Sequence, residues 1–181
     1  MSHNLKLQDL CGEFDRGEIS REEFVQRCTR HVAAEIGCSR AGVWLFVDTD
    51  AGRELHCIGM FDANANRWVD VLGESGPQVQ DYFNALASDG HVVAVDARAH
   101  PSTAGFFEAK LLVNNVHSLL AVSFGVNGKL LGAFTCTEVG RPMEWSKRQL
   151  ASLKAIGARA SLALSGATRS RRVMTTQNAE L

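Results

Sequence analysis

The sequence predicts an α/β fold of the α+β type, in which a mostly antiparallel sheet of about five to six strands carries helices on both faces. The strongest observation lies at 117–137, where two apolar runs of strand length flank Asn127-Gly128. Asn-Gly favours a type I′ hairpin turn, because both central residues of that turn need a positive φ. Neither arm of the hairpin alternates cleanly between polar and apolar residues, and strands of that kind are usually covered on both faces. We therefore expect the hairpin inside a three-layer structure.

Helical spacing of apolar residues predicts helices at both ends of the chain. A short apolar stripe indicates a helix over 5–14. Capping boxes, Ser-x-x-Glu at 20–23 and Ser-x-x-Gln at 146–149, open longer helices over about 21–36 and 147–165.

The middle of the chain alternates between strands and helices. Helical spacing predicts a helix over about 79–88, and a helix or broken helix runs from Pro101 to about Val116. The predicted strands are rich in β-branched and aromatic residues and are bounded by turn residues; they cover 41–48, 54–61, 67–72, 91–95, 118–126 and 129–137.

Charge and cysteine content restrict the class of protein. The 19 basic and 20 acidic residues nearly cancel, which argues against nucleic acid or an acidic membrane surface as the main partner. No apolar run approaches the roughly 18 residues that span a bilayer, and the N-terminal stretch lacks the pattern of a secretion signal. The five cysteines are odd in number and form no CxxC pair, which is typical of reduced thiols. We expect a cytoplasmic protein.

The second half of the chain resembles a GAF domain. The family pattern there has a short strand ending in Asp, a variable helical segment, a Ser-Leu strand, a turn, a Gly-Ala strand and an aromatic residue before the last helix. Residues 24–48 are similar to the opening helix and first strand of the family. The resemblance places a GAF domain at 20–166, a helical extension at 1–19 and a flexible tail at 167–181. The pattern falls on Asp96, Ser118-Leu119, Asn127-Gly128, Gly132-Ala133-Phe134 and Trp145-Ser146.

The resemblance implies a regulatory module rather than an enzyme. GAF domains bind small molecules or prosthetic groups between the sheet and the variable helical segment, and they commonly dimerise through terminal helices. The expected partners are an unidentified small-molecule ligand, a second copy of the chain and a separate output protein, since the sequence contains no kinase, cyclase or DNA-binding domain. The sequence identifies no cofactor.

Specialised members of the family differ from this sequence. Members that bind cyclic nucleotides carry an Asn-Lys-Phe-Asp-Glu set, which cannot be completed here because no Asp follows Asp96. Members that bind bilins use Cys followed by His, whereas this chain has His56-Cys57 on a predicted strand. Free methionine sulfoxide reductases use loop cysteines, whereas Cys57 and Cys136 lie in apolar strands, where we expect a raised thiol pKa. Two alternatives stay open: a thiol-dependent enzyme resembling those reductases, and a ligand-free dimerisation or interaction module.

A small-molecule pocket is mostly apolar with a few polar groups. The residues that could form one near the variable segment are Trp44, Asp96, Phe106, Phe107, His117 and Ser123. The aromatic members could equally belong to the core, and Asp96 at a strand end could cap the following backbone. The sequence shows no catalytic signature, and its histidines show no metal-ligand spacing, so no metal is predicted.

The last helix carries two apolar stripes, more than docking on its own sheet needs. We expect one stripe to cover the sheet and the other to pack against the same helix of a second copy; the alternative is that the helix at 5–14 covers the second stripe. The first stripe is Leu150, Leu153, Gly157, Ala160 and Leu164, and the second is Ala151, Ala155, Ala158 and Leu162.

Overall fold

The computed structural model describes residues 7–71, 79–106, 111 and 114–177, with side chains as far as Ser165. The helices are α1 (Leu7–Asp15), α2 (Arg21–Ile36), α3 (Gln80–Ser88), α4 (Pro101–Phe106) and α5 (Lys147–Gln177). The strands are β1 (Arg40–Thr49), β2 (Gly52–Asp62), β3 (Arg67–Val69), β4 (His91–Ala94), β5 (Val116–Val126) and β6 (Lys129–Val139).

The six strands form one sheet in the order β3-β2-β1-β6-β5-β4, and every neighbouring pair is antiparallel. The predicted sheet is therefore confirmed. The hairpin of β5 and β6 lies inside the sheet, between β1 and β4. Its turn has φ values of 53° at Asn127 and 74° at Gly128, the positive values that a type I′ turn requires.

Helices cover both faces of the sheet, as the apolar arms of the hairpin predicted. On one face α1, α2 and α5 pack around Phe24, Phe134 and Leu153, all fully buried. On the other face α3 and α4 form a second apolar cluster with the sheet. Alternate residues of β5 serve the two layers: Leu120 belongs to the first cluster and Leu119 to the second.

Both predicted capping boxes mark helix starts. Ser20 Oγ accepts a hydrogen bond of 3.1 Å from the backbone N–H of Glu23. At the start of α5, Ser146 Oγ accepts from the N–H of Gln149 at 3.1 Å, and Gln149 Oε1 accepts from the N–H of Ser146 at 2.8 Å. The Nε2 of Gln149 also donates to the carbonyl of Ile36 at 2.8 Å, which joins the start of α5 to the end of α2.

The strand predicted over 67–72 ends at Val69, and two helices end at places other than those predicted. The helix expected over 101–116 ends before Val116, which already belongs to β5, and Asn115 lies in the left-handed region with a φ of 54°. Its described part is α4, and residues 107–110 and 112–113 lie outside the described residues. Helix α5 continues to Gln177 instead of ending near Ser165, so it takes in most of the segment predicted as a flexible tail. After Gly166 the sequence up to Gln177 has neither Gly nor Pro to stop a helix.

Within the part of the chain that the structure describes, no helix combines the length and the apolar character needed to cross a membrane.

Candidate functional site

A cavity of about 220 Å³ lies between the sheet and the layer that contains α3 and α4. Its wall is mostly apolar, and its exposed or half-buried polar members, Arg40, Asp70 and Asn114, indicate where it opens to solvent. The lining residues are Arg40, Trp44, Leu55, Met60, Val69, Asp70, Val71, Tyr82, Phe106, Leu111, Asn114, Val116, Leu119, Thr135 and Thr137. An apolar cleft with a few polar groups is the usual form of a small-molecule site.

The sheet side of the cavity is held by a hydrogen bond between two strands. Trp44 on β1 donates from Nε1 to Thr135 Oγ1 on β6 at 3.0 Å, in a buried position. Gly42 makes this packing possible, because a Cβ there would lie 2.8 Å from Met60 Cε and 3.1 Å from both bonded atoms of Trp44 and Thr135. The indole is therefore fixed in the wall of the cavity.

Tyr82 on α3 is a buried lining residue with an unpaired hydroxyl. Its side chain is 2% exposed, and no hydrogen-bond partner for the hydroxyl exists among the described residues. Its ring meets the ring of Phe106 edge-on, with centroids 5.4 Å apart. Burial raises the pKa of the hydroxyl, so it stays protonated and able to donate. A buried polar group without a partner costs about 1–3 kcal/mol, which makes Tyr82 a natural anchor for a bound molecule.

Arg40 stands at the mouth of the cavity with its charge already paired. Its Nε lies 2.8 Å from Asp62 Oδ2, and its Nη1 donates to the carbonyl of Asn114 at 3.3 Å. Burial alone would raise the pKa of the Asp62 carboxyl, but hydrogen bonds from Arg40 and from the backbone N–H of Ala65 bring that pKa below its ordinary value. The Asp62 carboxyl is therefore ionised at neutral pH, and its pairing with Arg40 adds no net charge to the mouth.

The structure brings together only part of the predicted site. Trp44 and Phe106 both line the cavity. Phe107 lies outside the described residues.

The three polar residues of the predicted site do not line the cavity. Asp96 Oδ1 accepts hydrogen bonds from the backbone N–H groups of Arg98 at 3.0 Å and Ala99 at 3.4 Å, the capping arrangement that was the alternative to ligand contact. His117 has an exposed side chain. Ser123 Oγ donates to the carbonyl of Gly90 at 3.2 Å. Ligand contact by any of these residues stays a prediction.

Two polar residues of the cavity wall, Tyr82 and Arg40, were not in the predicted site. Tyr82 was recognisable only as an aromatic residue at helical spacing, and its unpaired hydroxyl has no signature in the sequence. Arg40 lies one residue before the predicted first strand, and its place at the cavity mouth depends on how β1 pairs with β2 and β6.

None of the five cysteines lines the cavity, and the pKa values of Cys11, Cys28, Cys57 and Cys136 are raised. Burial raises the pKa of Cys28 to about 12 and that of Cys57 to about 11. Burial, followed by a hydrogen bond with Cys38, raises the pKa of Cys136 well above its ordinary value. The raised pKa expected for Cys57 and Cys136 is confirmed. In the described ranges no group of three or more His, Cys, Asp or Glu side chains is placed to hold a metal ion.

Comparison with known protein families and solved structures agrees with the fold described above. The family model described as "GAF domain" matches residues 20–164. No curated protein matches the chain in sequence.

Several solved structures share the fold at low sequence identity. A far-red-absorbing dark state with bound biliverdin IXα has a TM-score of 0.71 and 17% identity, covering 90% of this chain and 98% of that one. The blue-light-absorbing PixJ GAF domain of Thermosynechococcus elongatus has a TM-score of 0.67 and 13% identity, covering 93% and 97%. The phycocyanobilin-bound GAF domain of a cyanobacterial phytochrome has a TM-score of 0.66 and 15% identity, covering 91% and 95%.

Proposed function

Because the chain belongs to the GAF domain family, we propose that it is a regulatory module that senses a small molecule in the cavity between the sheet and α3 and α4. The observation that carries this proposal is the buried Tyr82 hydroxyl, which lines the cavity and lacks a partner among the described residues. A module whose only task was to associate with other proteins would gain stability by filling this space with side chains, since unfilled volume destabilises a core.

A bilin, such as the biliverdin and phycocyanobilin bound in two of the similar structures, does not fit the residues present. None of the five cysteines lines the cavity, so no thiol is available there for a covalent bond to a chromophore. A volume of about 220 Å³ is also small for a linear tetrapyrrole. We therefore propose a smaller ligand that binds without a covalent bond.

Thiol chemistry is the less favoured alternative. The reactive form of cysteine is the thiolate, and reactive cysteines have lowered pKa values in accessible, electropositive surroundings. Cys57 and Cys136 have raised pKa values, and Cys136 is fully buried. These properties support a regulatory role over a role as a thiol-dependent reductase.

The exposed face of α5 supports a homodimer. Leu153, Ala160 and Leu164 of the first stripe are buried against the sheet side, whereas Ala151, Ala155, Ala158 and Leu162 of the second stripe are all exposed. Leu162 is 68% exposed, and helix α1 does not cover it. We propose that this stripe packs against the same stripe of a second copy. The small alanine side chains of both stripes permit close approach of the two helices.

Helix α1 lies beside the stripe, where Gln8 accepts a hydrogen bond from Arg159 at 3.3 Å. In our proposal, a separate output protein receives the signal from this paired helix.

Capture of a small molecule from a cell extract tests the sensing function. The protein is incubated with the extract, isolated again by gel filtration, denatured, and its released molecules are identified by mass spectrometry. The variant Leu119→Phe adds ring volume inside the cavity, and Val95→Phe adds the same ring at a position that is 41% exposed. We expect one compound to be enriched by the wild type and Val95→Phe and lost with Leu119→Phe. Enrichment of no compound, or equal enrichment by all three proteins, would contradict the proposal.

A further inference from the structure

The wall of the cavity restricts the chemistry of what it can bind. Resting on the proposed sensing function, we infer that the ligand is a neutral, compact, mostly apolar molecule with one hydrogen-bond acceptor for Tyr82, of the class of small aromatic ketones. The size of the cavity, the unpaired Tyr82 hydroxyl and the balance of charge each contribute to this inference.

The volume sets the size of the ligand. An engineered apolar cavity of about 150 Å³ holds benzene. A cavity of about 220 Å³ is therefore suited to a molecule of about ten non-hydrogen atoms, one ring with a short substituent. Trp44, Tyr82 and Phe106 supply aromatic surfaces in the wall, and aromatic rings pack well against one another edge-on or offset.

Tyr82 sets the polar group. The Nε1–H of Trp44 is already used by Thr135 Oγ1 at 3.0 Å. The hydroxyls of Thr135 and Thr137 also lie in the wall, but among the described lining residues only Tyr82 has a fully buried polar side-chain atom without a partner. Tyr82 is 2% exposed, and its buried hydroxyl has no hydrogen-bond partner among the described residues. A carbonyl or ether oxygen of the ligand would accept its proton and remove the cost of the unpaired group.

The charges at the mouth select against an ionised ligand. Arg40 is the only cation among the described lining residues, and its Nε is bound to Asp62 Oδ2 at 2.8 Å. Asp70, also at the mouth, adds a carboxylate that would repel an anion. Since a buried charge without a partner is very unfavourable, a carboxylate ligand would bind weakly. Asp70 is itself exposed and solvated, so it offers little to a buried cation.

Three probes of equal heavy-atom count separate these contributions. Acetophenone carries the carbonyl, α-methylstyrene replaces its oxygen with a methylene group, and benzoate carries a negative charge. Each is titrated into the full chain while methyl signals of Leu55, Met60 and Leu119, which line the cavity, are followed by NMR. The variant Tyr82→Phe removes only the hydroxyl. Its control, Thr103→Val, removes a buried hydroxyl that donates to the carbonyl of Ala97 and does not line the cavity.

We expect wild type and Thr103→Val to bind acetophenone about five-fold more tightly than α-methylstyrene, the factor for one net hydrogen bond of about 1 kcal/mol. In Tyr82→Phe the ratio should fall to one or below, because the carbonyl is then buried without a donor. Benzoate should bind more weakly than acetophenone to every protein. The ligand-free Tyr82→Phe protein should melt at the same temperature as the wild type or above it, because it lacks the unpaired hydroxyl.

Other outcomes would overturn the inference. One is that acetophenone and α-methylstyrene bind equally to the wild type. Another is that Tyr82→Phe still prefers acetophenone, and a third is that benzoate binds more tightly than acetophenone. If a compound captured from extract depends on the cavity but none of the three probes binds, the inference fails and the sensing function stands. If neither probes nor extract yield a bound molecule, both fail.

Discussion

Trp44 and Thr135 are joined by a hydrogen bond of 3.0 Å that crosses diagonally from β1 to β6, since Trp44 itself lies opposite Ala133. The bond closes the sheet side of the cavity and satisfies the buried indole N–H. It depends on Gly42, which lies directly opposite Thr135. The same contact therefore contributes to the stability of the sheet and to the shape of the site.

Removal of the acceptor of this bond should destabilise the protein. In Thr135→Val the indole N–H of Trp44 is left buried without its partner, so the free energy of unfolding should fall by about 1–3 kcal/mol. Urea denaturation followed by tryptophan fluorescence measures the change. Thr137→Val makes the same substitution two residues further along the cavity wall and leaves the Trp44 bond intact. If the free energy of unfolding falls equally in the two variants, the hydrogen bond of Trp44 makes no particular contribution to stability.

The thiol of Cys28 should make stability depend on alkaline pH. Burial raises its pKa to about 12, whereas an unfolded thiol ionises near pH 8.5. The unfolded state then loses a proton that the folded state keeps, so stability is full below about pH 8.5 and falls by up to about 1.4 kcal/mol per pH unit above it. In Cys28→Ala this slope should be smaller. The control Val32→Ala, fully buried on the same helix, should lower stability equally at every pH. Identical slopes in wild type and Cys28→Ala would refute the prediction.

The ion pair of Arg40 and Asp62 should make stability depend on acidic pH. The pKa of Asp62 is lowered in the folded state, so its contribution is present above about pH 4 and is lost as the pH falls below that value. The difference in unfolding free energy between wild type and Asp62→Asn should therefore shrink between pH 5 and pH 3, as measured by urea titration.

A double-mutant cycle checks the cause of this dependence. In the background of Arg40→Gln, the substitution Asp62→Asn should show a clearly smaller change with pH, because the main partner of the carboxylate is gone. If the effect of Asp62→Asn on the free energy of unfolding changes equally with pH in that background, the pH dependence does not come from the ion pair with Arg40.

Two charges on the exposed stripe of α5 should separate the dimer. Ala155→Glu with Ala158→Glu places carboxylates where we propose that the second helix packs, and light scattering should show a shift from dimer to monomer with an unchanged circular dichroism spectrum. As a control, Ala87→Glu with Ala104→Glu places the same charges at exposed positions of α3 and α4. A wild-type monomer at micromolar concentrations, or equal dissociation of both double variants, would contradict the dimer.

Features that depend on neighbours in the sequence could be predicted. The positive φ values of Asn127 and Gly128 follow from the residue types, and the capping bond of Ser20 follows from a three-residue spacing. The apolar arms of the hairpin indicated a sheet covered on both faces, because strands buried on both faces consist mostly of apolar residues. These signals were sufficient for the fold.

The site depended on information that is not local. Whether a strand residue faces the cavity is decided by register, and a shift of one residue reverses the face. Leu119 therefore lines the cavity while its neighbour Leu120 belongs to the opposite cluster. Tyr82 and Arg40 meet the same cavity from elements far apart in the chain, and the missing partner of a hydroxyl becomes visible only when its surroundings are known.

The most direct test of the central claim is a crystal structure of the protein after incubation with cell extract. We predict difference density for one compact molecule inside the cavity, with a polar atom about 3 Å from the Tyr82 hydroxyl oxygen. A cavity closed by the chain's own side chains, with Tyr82 bonded to the protein and no density for a ligand, would contradict the claim and favour a module that works only by association.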